Sequence, residues 1–323
     1  MIINVEHVSK SYYVKNKGLK GLWEPKMCKM ALEDINFSIK EGEIVGYIGL
    51  NGAGKSTTIK ILTGVIAPSS GYICVNGMDP FKERIRNAKN IGVMFGQRSQ
   101  LIWDLPVYRS FDLIMTMYNV DKKNEKEYLE ELFQLLNIQE LLDIPVRLLS
   151  LGQRMRCEFC AVLLHKPRII YLDEPTIGMD VLVKCTFVQI IKKINSELNT
   201  TIVLTSHDLN EIEEICQRII IIDKGTKIFD GKIDELKRLF PSRKKVILTF
   251  NEINDLTKVV NYKFEQCRIE RIQENKCYFN ITDSNECIMR FLNEINSIFI
   301  VNNVEIIDSK LEDIIKMIYL GSS

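Results

Sequence analysis

The chain has 323 residues, which is enough for one large or two modest domains with a sizeable core. Its net charge is only +1, which argues against a nucleic-acid partner, since such partners are bound by strongly basic surfaces. The chain contains no apolar run close to the roughly 18 residues that a membrane helix needs, and its start lacks the basic and apolar segments of a signal peptide. We therefore expect a cytoplasmic protein.

The first predicted element is a strand at residues 2–8, and Tyr12 follows it. Two roles fit Tyr12: its ring stacks on an adenine, or it packs across neighbouring strands. Residues 14–29 read as an inserted excursion, for which a short amphipathic element against a membrane or partner and a plain hairpin tip fit about equally. Strand alternation resumes at residues 30–39.

The stretch at residues 49–57 matches the phosphate-binding pattern G-x-x-x-x-G-K-[S/T] without a mismatch. The apolar residues 43–48 predict a buried strand before it, and residues 58–62 have helical spacing after it. Glycines let the backbone wrap a phosphate chain, and the following helix N-terminus adds a positive field. Lys55 is predicted to reach the β- and γ-phosphates and Ser56 to bind Mg²⁺. The predicted nucleotide-binding residues here are Gly49, Asn51, Gly52, Ala53, Gly54, Lys55, Ser56 and Thr57.

A short buried strand at residues 91–95 leads to Gln97. Gln97 is placed to complete a Mg²⁺ shell or to hold an attacking water, although a plain polar residue at a strand end also fits. From about residue 98 to 160 the pattern is helical, which predicts a subdomain inserted between the phosphate loop and the next core strand.

Ser150, Gly152 and Gln153 stand at the start of a helix predicted at about 153–164. Ser150 is a suitable N-cap. A Ser-x-Gly at a helix start predicts a second phosphate site, and a simple helix cap is the alternative.

Asp173 and Glu174 end an apolar strand that begins at Arg168. Two carboxylates after a phosphate loop predict a metal ligand, Asp173, and a general base, Glu174, for the attacking water. A structural acid pair is the alternative. Further along, Asp180 precedes an amphipathic helix, and His207 follows another core strand, where it either touches the γ-phosphate or makes a core hydrogen bond.

Beyond residue 241 the character of the chain changes. Candidate strands at 244–250, 267–273, 276–282 and 298–306 and candidate helices at 284–296 and 309–319 predict a small α+β appendage without a catalytic constellation.

In this order and spacing, the motifs resemble the full set of ABC-type ATPases over about residues 2–240. The resemblance implies an adenine-stacking aromatic (Tyr12), a Walker A loop (49–57), a Q-loop (Gln97), a signature (149–153), a Walker B strand with its catalytic Glu (Asp173 and Glu174), a D-loop (Asp180) and a switch His (His207). One departure is Leu151, where the family signature usually has Gly; Ser150 and Gly152, which that family places on the phosphate, are present.

The resemblance implies an α/β fold: an ABC-type P-loop nucleotide-binding domain at 1–240 with a helical subdomain at about 98–160, plus a C-terminal α+β accessory domain at 241–323. It implies a Mg²⁺-dependent ATPase that binds ATP between two head-to-tail copies, or between this chain and a paralogous subunit. Gln97, Glu174 and His207 would be catalytic, and Ser56, Gln97 and Asp173 would hold the metal.

Residues 95–106 and 149–156 further resemble a branch of drug- and sodium-efflux ATPases, which implies export through separately encoded permease subunits at the inner face of the cell membrane. The alternative is a soluble ABC ATPase acting on ribosomes or nucleic acid. The single ATPase half, the lack of sustained heptads and the near-neutral charge argue against it.

Overall fold

A computed structural model describes residues 1–14, 27–95, 99–239, 243–250, 259, 267–273, 275–282, 285–298, 301–307 and 311–321. The chain divides into two compact units, Met1–Gly231 and Lys232–Ser323. Most of the predicted excursion at 14–29, and Gln97, lie outside the described residues. In the part of the chain that is described, the structure has no helix long and apolar enough to cross a membrane.

The first unit is built on a six-stranded sheet with the order β5-β6-β7-β3-β8-β9. Its strands are β3 (Ile44–Gly49), β5 (Ile91–Phe95), β6 (Ile169–Asp173), β7 (Thr201–Thr205), β8 (Arg218–Asp223) and β9 (Thr226–Lys232). The pairs from β5 through β8 are parallel, and β6, β7 and β8 are nearly continuous runs of buried Ile, Val and Leu. This composition is expected where helices cover both faces of a parallel sheet.

A second, antiparallel sheet has the order β2-β1-β4, with β1 at Ile3–Val14, β2 at Met27–Ile39 and β4 at Ser70–Val75. Its inward side chains share a core with the six-stranded sheet: Val5, Ile35 and Phe37 belong to the same buried cluster as Tyr47 and Ile220. The phosphate-loop strand β3 therefore packs, within this shared core, against the second sheet.

Seven helices of the first unit are α1 (Lys55–Leu62), α2 (Arg84–Ala88), α3 (Val107–Met117), α4 (Lys126–Leu135), α5 (Leu151–Leu163), α6 (Val181–Leu198) and α7 (Leu209–Ile215). Within the helical block predicted at about 98–160 the structure has α3, α4 and the start of α5, with two short 3₁₀ turns between α4 and α5. Its apolar faces pack together, for example Phe111 against Phe133 with ring centroids 5.8 Å apart.

The second unit contains the antiparallel sheet β11-β12-β10-β13, with β10 at Arg243–Phe250, β11 at Cys267–Gln273, β12 at Lys276–Thr282 and β13 at Val301–Ile307. Its helices are α8 (Ile233–Leu239), α9 (Asn285–Ile298) and α10 (Leu311–Gly321). Phe279 and Phe291 join the sheet to α9, with ring centroids 4.9 Å apart. This α+β unit has its own core of buried Val, Leu, Phe and Ile.

Candidate nucleotide site

The loop between β3 and α1 has the backbone geometry that a phosphate-wrapping turn requires. Gly52 and Gly54 have φ angles of +83° and +112°, in the left-handed region that favours glycine. At Gly54, a Cβ would lie 2.8 Å from the carbonyl oxygen of Ala31 and 2.5 Å from Cδ2 of Leu32. Glycine is therefore needed at this position both for the turn and for the close approach of the loop to β2.

Lys55 is buried at the start of α1, and its Nζ donates to the carbonyl oxygen of Gly49 at 2.6 Å. Burial lowers the pKa of Lys55, while the carboxylates of Glu174 and Asp173 act in the opposite direction. An ammonium group folded over its own loop, with carbonyl oxygens as its acceptors, is well suited to exchange them for phosphate oxygens. Next to Lys55, the Ser56 side chain is exposed and Thr57 is half-buried.

Asp173 ends β6 at the same edge of the sheet, because the carboxyl ends of parallel strands meet there. The hydroxyl of Thr205, at the end of β7, donates to Oδ1 of Asp173 at 2.6 Å. The backbone N–H of Glu174 donates to the carbonyl oxygen of Thr205 at 3.0 Å. Two adjacent strand ends thus hold both carboxylates in a fixed position.

Glu174 has a φ angle of +52°, which is uncommon for a residue with a side chain. Its Oε1 lies 2.6 Å from Nε2 of His207, and both side chains are partly exposed. The structure therefore brings Lys55, Asp173, Glu174 and His207 together at one edge of the sheet, as the strand order predicts.

Beneath this cluster lies a carboxylate that our sequence analysis missed. Glu211 is buried in α7, and its Oε2 accepts hydrogen bonds from Ser206 at 2.7 Å and Thr176 at 2.8 Å. Burial raises the pKa of Glu211, and the two hydroxyl donors lower it. Glu211 ties the segment after Glu174 to the segment that carries His207. The feature of the sequence that could have revealed Glu211 is its position on an amphipathic helix, four residues after His207.

The signature residues form a second cluster at the start of α5. Ser150 and Gln153 make a reciprocal capping box: the Gln153 N–H donates to Oγ of Ser150 at 3.2 Å, and the Ser150 N–H donates to Oε1 of Gln153 at 2.9 Å. Leu151 is the first helical residue, with an ordinary backbone and a 40% exposed side chain. A Cβ at Gly152 would lie 3.2 Å from Cγ2 of Val183 in α6, so this helix start lies against the beginning of α6.

Two further predicted residues lie at the edges of these clusters. Asp180 caps α6 by accepting from the Val183 N–H at 2.9 Å. Tyr12 is exposed on β1, and Nζ of Lys10 lies over its ring, 5.4 Å from the ring centroid. The position of Gln97 is outside the described residues.

The donor set fits magnesium and a nucleotide triphosphate. Mg²⁺ prefers oxygen ligands, keeps several waters and takes few protein ligands when phosphate oxygens share it. The Ser56 hydroxyl and the Asp173 carboxylate supply such oxygens next to the loop. The described residues include no cluster of three or more His, Cys, Asp or Glu that would hold a metal by itself, as expected for a site completed by phosphate.

Comparison with known proteins decides the family. A family model described as ABC transporter matches residues 32–177. The ABC transporter ATP-binding protein NatA of Bacillus subtilis (strain 168) is 30% identical over 213 residues, which cover 66% of this chain and 86% of that protein. The chain belongs to the ABC transporter ATP-binding family. It is an ABC-type ATPase, whose cofactors are ATP and Mg²⁺.

Other members differ in what their names say they serve. Methionine import ATP-binding protein MetN 2 of Enterococcus faecalis (strain ATCC 700802 / V583) is 33% identical over 64% of this chain, and the chain spans 61% of its length. The solved structure of cbiO1 from Clostridium perfringens, part of the ABC transporter complex cbiONQ, has a TM-score of 0.63 at 26% identity and covers 74% of this chain and 93% of its own.

A second solved structure is the dimeric ATP-binding cassette MJ0796 bound to ADP and Pi. It has a TM-score of 0.58 at 25% identity and covers 72% of this chain and 98% of its own. The predicted ABC-type α/β fold, the ATPase activity and the ATP and Mg²⁺ cofactors are confirmed by these matches.

Proposed function

We propose that this chain is the ATP-hydrolysing motor subunit of a transporter whose membrane-spanning subunits are separate chains. The observation that carries the proposal is the grouping of the buried Lys55 with the partly exposed Asp173, Glu174 and His207 at one sheet edge, beside a loop that requires glycine. The resemblance of the signature and Q-loop segments to the efflux branch supports export. Because other relatives have import in their names, the direction of transport is a separate and more specific part of the proposal.

In the proposed site, Lys55 neutralises the β- and γ-phosphates, and Ser56 and Asp173 hold Mg²⁺, with Gln97 completing the shell or holding the attacking water. Bound Mg²⁺ would neutralise the phosphate charge. Glu174 orients and deprotonates the attacking water, and His207 holds the γ-phosphate. The 2.6 Å contact between Glu174 and His207 puts these two roles side by side.

We propose that a second copy of the chain, or a paralogous subunit, completes the site. Ser150, Gly152, Gln153 and Asp180 belong to the α5–α6 cluster, where Val181 and Leu182 are 75% and 79% exposed. Exposed apolar side chains beside a capped helix start are suited to an interface. In this arrangement the signature of one copy contacts the nucleotide that the other copy holds. The adenine of that nucleotide stacks on Tyr12 of the copy that holds it. The dimeric form of the MJ0796 cassette supports it.

We propose that a membrane subunit docks at the groove between α2 and the end of α3. The groove encloses about 540 Å³ and is lined by Val65, Arg84, Ile85, Lys89, Met117 and Tyr118. Its apolar floor and basic rim suit a short amphipathic helix that carries acidic residues. Through this contact the chain would lie peripherally on the inner face of the cell membrane.

The test is copurification of the chain from the cells that make it, followed by identification of any multi-spanning membrane protein bound to it. The wild-type chain is expected to form a stoichiometric complex in detergent. Ile85→Asp, at a side chain that is 71% exposed in the groove, is expected to lose the complex and keep its ATP affinity. Tyr72→Asp on β4 is the matched control and retains the complex. Failure of the wild-type chain to bind any such protein would refute the transporter role, and an intact complex with Ile85→Asp would refute the groove.

A further inference from the structure

A buried carboxylate links the signature helix to the segment that follows Gln97. Glu158 lies two turns into α5, and only 7% of the residue is exposed. The Ser99 hydroxyl donates to its Oε1, and the Gln100 backbone N–H donates to its Oε2 at 2.9 Å. Since the single Ser99 proton goes to Glu158, the Ser99 oxygen accepts the Leu101 N–H at 3.1 Å. Both carboxylate oxygens of Glu158 thus hold residues 99–101.

The same segment is also tied to the core sheet. Nε2 of Gln100 donates to the carbonyl oxygen of Val93 at 2.7 Å, in β5. Strand β5 pairs in parallel with β6, and Phe95 lies opposite Asp173 in that register. A continuous series of hydrogen bonds therefore runs from α5 through Ser99 and Gln100 to β5, and from β5 to β6, the strand that ends at Asp173.

The chemistry of Glu158 is unusual for a residue whose only task is packing. Burial raises the pKa of Glu158, and the hydrogen bonds from Ser99 and Gln100 lower it. A carboxylate is costly to bury, and an apolar side chain would fill helix-core space at a lower cost in free energy. What Glu158 provides instead is two directed acceptors aimed at one loop.

A cavity of about 230 Å³ lies beside the contact between Glu158 and Ser99. Its walls include Ser99, Trp103, Leu151, Arg154 and Glu158, together with Ile177 from the segment after Glu174. The guanidinium of Arg154 lies 5.7 Å from the Trp103 ring centroid. The signature helix, residues 99–103 and the loop before Asp180 thus line one cleft that is open to solvent, so a shift of the helix would displace the other two.

We infer that Glu158 is a positioning residue that couples the signature helix to the segment following Gln97. When Ser150 and Gly152 engage the partner's nucleotide, the shift of α5 moves residues 99–101 through Glu158, and with them the end of β5 that lies opposite Asp173. This inference rests on the proposed two-copy function and assigns the transmitting contact within one chain.

The test compares turnover with ATP affinity in variants of the full-length chain. Glu158→Ala is expected to lower kcat at least about tenfold, because small displacements of positioning groups cost up to about 100-fold in rate. ATP affinity, which depends on residues 49–57, should stay within about twofold, the range of a minor perturbation. Glu158→Gln keeps one acceptor oxygen and should fall between wild type and Glu158→Ala. Glu131→Ala, at an exposed position of α4, is the control and should match wild type.

Trp103 supplies a second, spectroscopic readout. The chain has two tryptophans, so Trp23→Phe leaves Trp103 as the only tryptophan emitter, inside the shared cavity. In the Trp23→Phe protein, saturating Mg-ATP is expected to change the emission of Trp103. In the protein that carries both Trp23→Phe and Glu158→Ala, saturating Mg-ATP is expected to leave the emission of Trp103 unchanged.

Three results would overturn the inference. They are wild-type turnover in Glu158→Ala, a Trp103 emission change on adding Mg-ATP to that variant as large as the change seen without Glu158→Ala, and a loss of ATP affinity and thermal stability that accounts for the lost turnover. Gly152→Asp separates this failure from failure of the two-copy function. If Gly152→Asp is inactive while Glu158→Ala is fully active, only the coupling role of Glu158 is wrong.

Discussion

At the scale of single residues, Glu174 combines strained backbone with a directed carboxylate. Its φ of +52° is held by the N–H donation to Thr205, and its side chain contacts His207 at 2.6 Å. Strain of this kind costs about 1–3 kcal/mol and persists where the surrounding structure fixes it, commonly at functional sites. The backbone of Glu174 is thus set before a substrate arrives.

Glu174→Gln is expected to keep ATP binding and to lower steady-state phosphate release by about 10²–10⁴-fold, the usual cost of losing a general base. The amide retains the size of the side chain and its contact with His207, so the folded structure should persist. Phosphate release and a fluorescent ATP analogue titration measure the two quantities. Near-normal turnover in the purified variant would remove Glu174 from the role of base.

Glu211→Gln is expected to change how stability depends on pH. Burial raises the folded-state pKa of Glu211 above its ordinary value of 4.5, so the folded chain binds the proton more tightly than the unfolded chain. The contribution of this tighter proton binding to the free energy of unfolding is complete below about pH 4.5. It is lost as the pH rises through the folded-state pKa of Glu211. Glutamine does not titrate, so this decrease should be absent. Urea unfolding at several pH values tests it, and parallel curves for both proteins would contradict it.

The chemistry-bearing residues of the first unit were accessible to sequence reasoning because their spacing follows strand ends. Lys55, Asp173, Glu174 and His207 each follow or end a buried strand, and the structure brings them together. The groups that support them were not accessible. The contacts of Thr205 with Asp173 and of Glu211 with Thr176 each join residues more than thirty positions apart, and only the fold reveals them.

At the scale of elements, the phosphate loop depends on glycine in two separable ways. Gly54→Ala combines a left-handed φ with a Cβ that would lie 2.8 Å from the Ala31 carbonyl oxygen, while Gly52→Ala has the left-handed φ alone, with nothing within 4 Å of its Cβ. We expect Gly52→Ala to cost about 1–2 kcal/mol of stability. Gly54→Ala should cost more and weaken ATP binding. Equal effects in chemical unfolding would show that the packing of the loop on β2 is unimportant.

The signature turn makes an asymmetric prediction. Leu151 has ordinary helical backbone, so its side chain is compatible with a working site, and the proposed binding groups are the Ser150 hydroxyl and the Gly152 N–H. Leu151→Gly should leave ATPase activity within a few-fold of wild type and lose about 1 kcal/mol of stability through added backbone freedom. A loss of activity comparable to that of Glu174→Gln would show that the leucine itself contributes to the site.

Elements were easier to predict than their ends. The helix predicted at about 153–164 begins at Leu151, because the capping box of Ser150 and Gln153 organises the turn before it. Strand β1 continues to Val14, well beyond the predicted end at residue 8, because pairing with β2 overrides its weak alternation. Tertiary pairing of this kind leaves little local signal.

At the scale of the whole molecule, one copy of the chain carries two clusters of predicted site residues. Lys55, Asp173, Glu174 and His207 form one cluster, while Ser150 and Gly152 lie with Asp180 and Val183 in another. The sequence predicts the residues of both clusters, and we propose that the two combine only when a second copy is present. The domain boundary predicted at residue 240 likewise stays a prediction, and the compact units divide at residue 231.

The most direct test of the two-copy site is complementation between two inactive chains. Lys55→Ala removes the phosphate-binding charge, and Gly152→Asp places a carboxylate where the partner's γ-phosphate would lie. Each variant alone should lack ATPase activity, and Gly152→Asp should keep its ATP affinity. Mixed together, they form dimers in which Lys55 of one chain faces Gly152 of the other, so activity should reappear in proportion to those mixed dimers. A mixture as inactive as its components, or a fully active Gly152→Asp chain, would contradict the account.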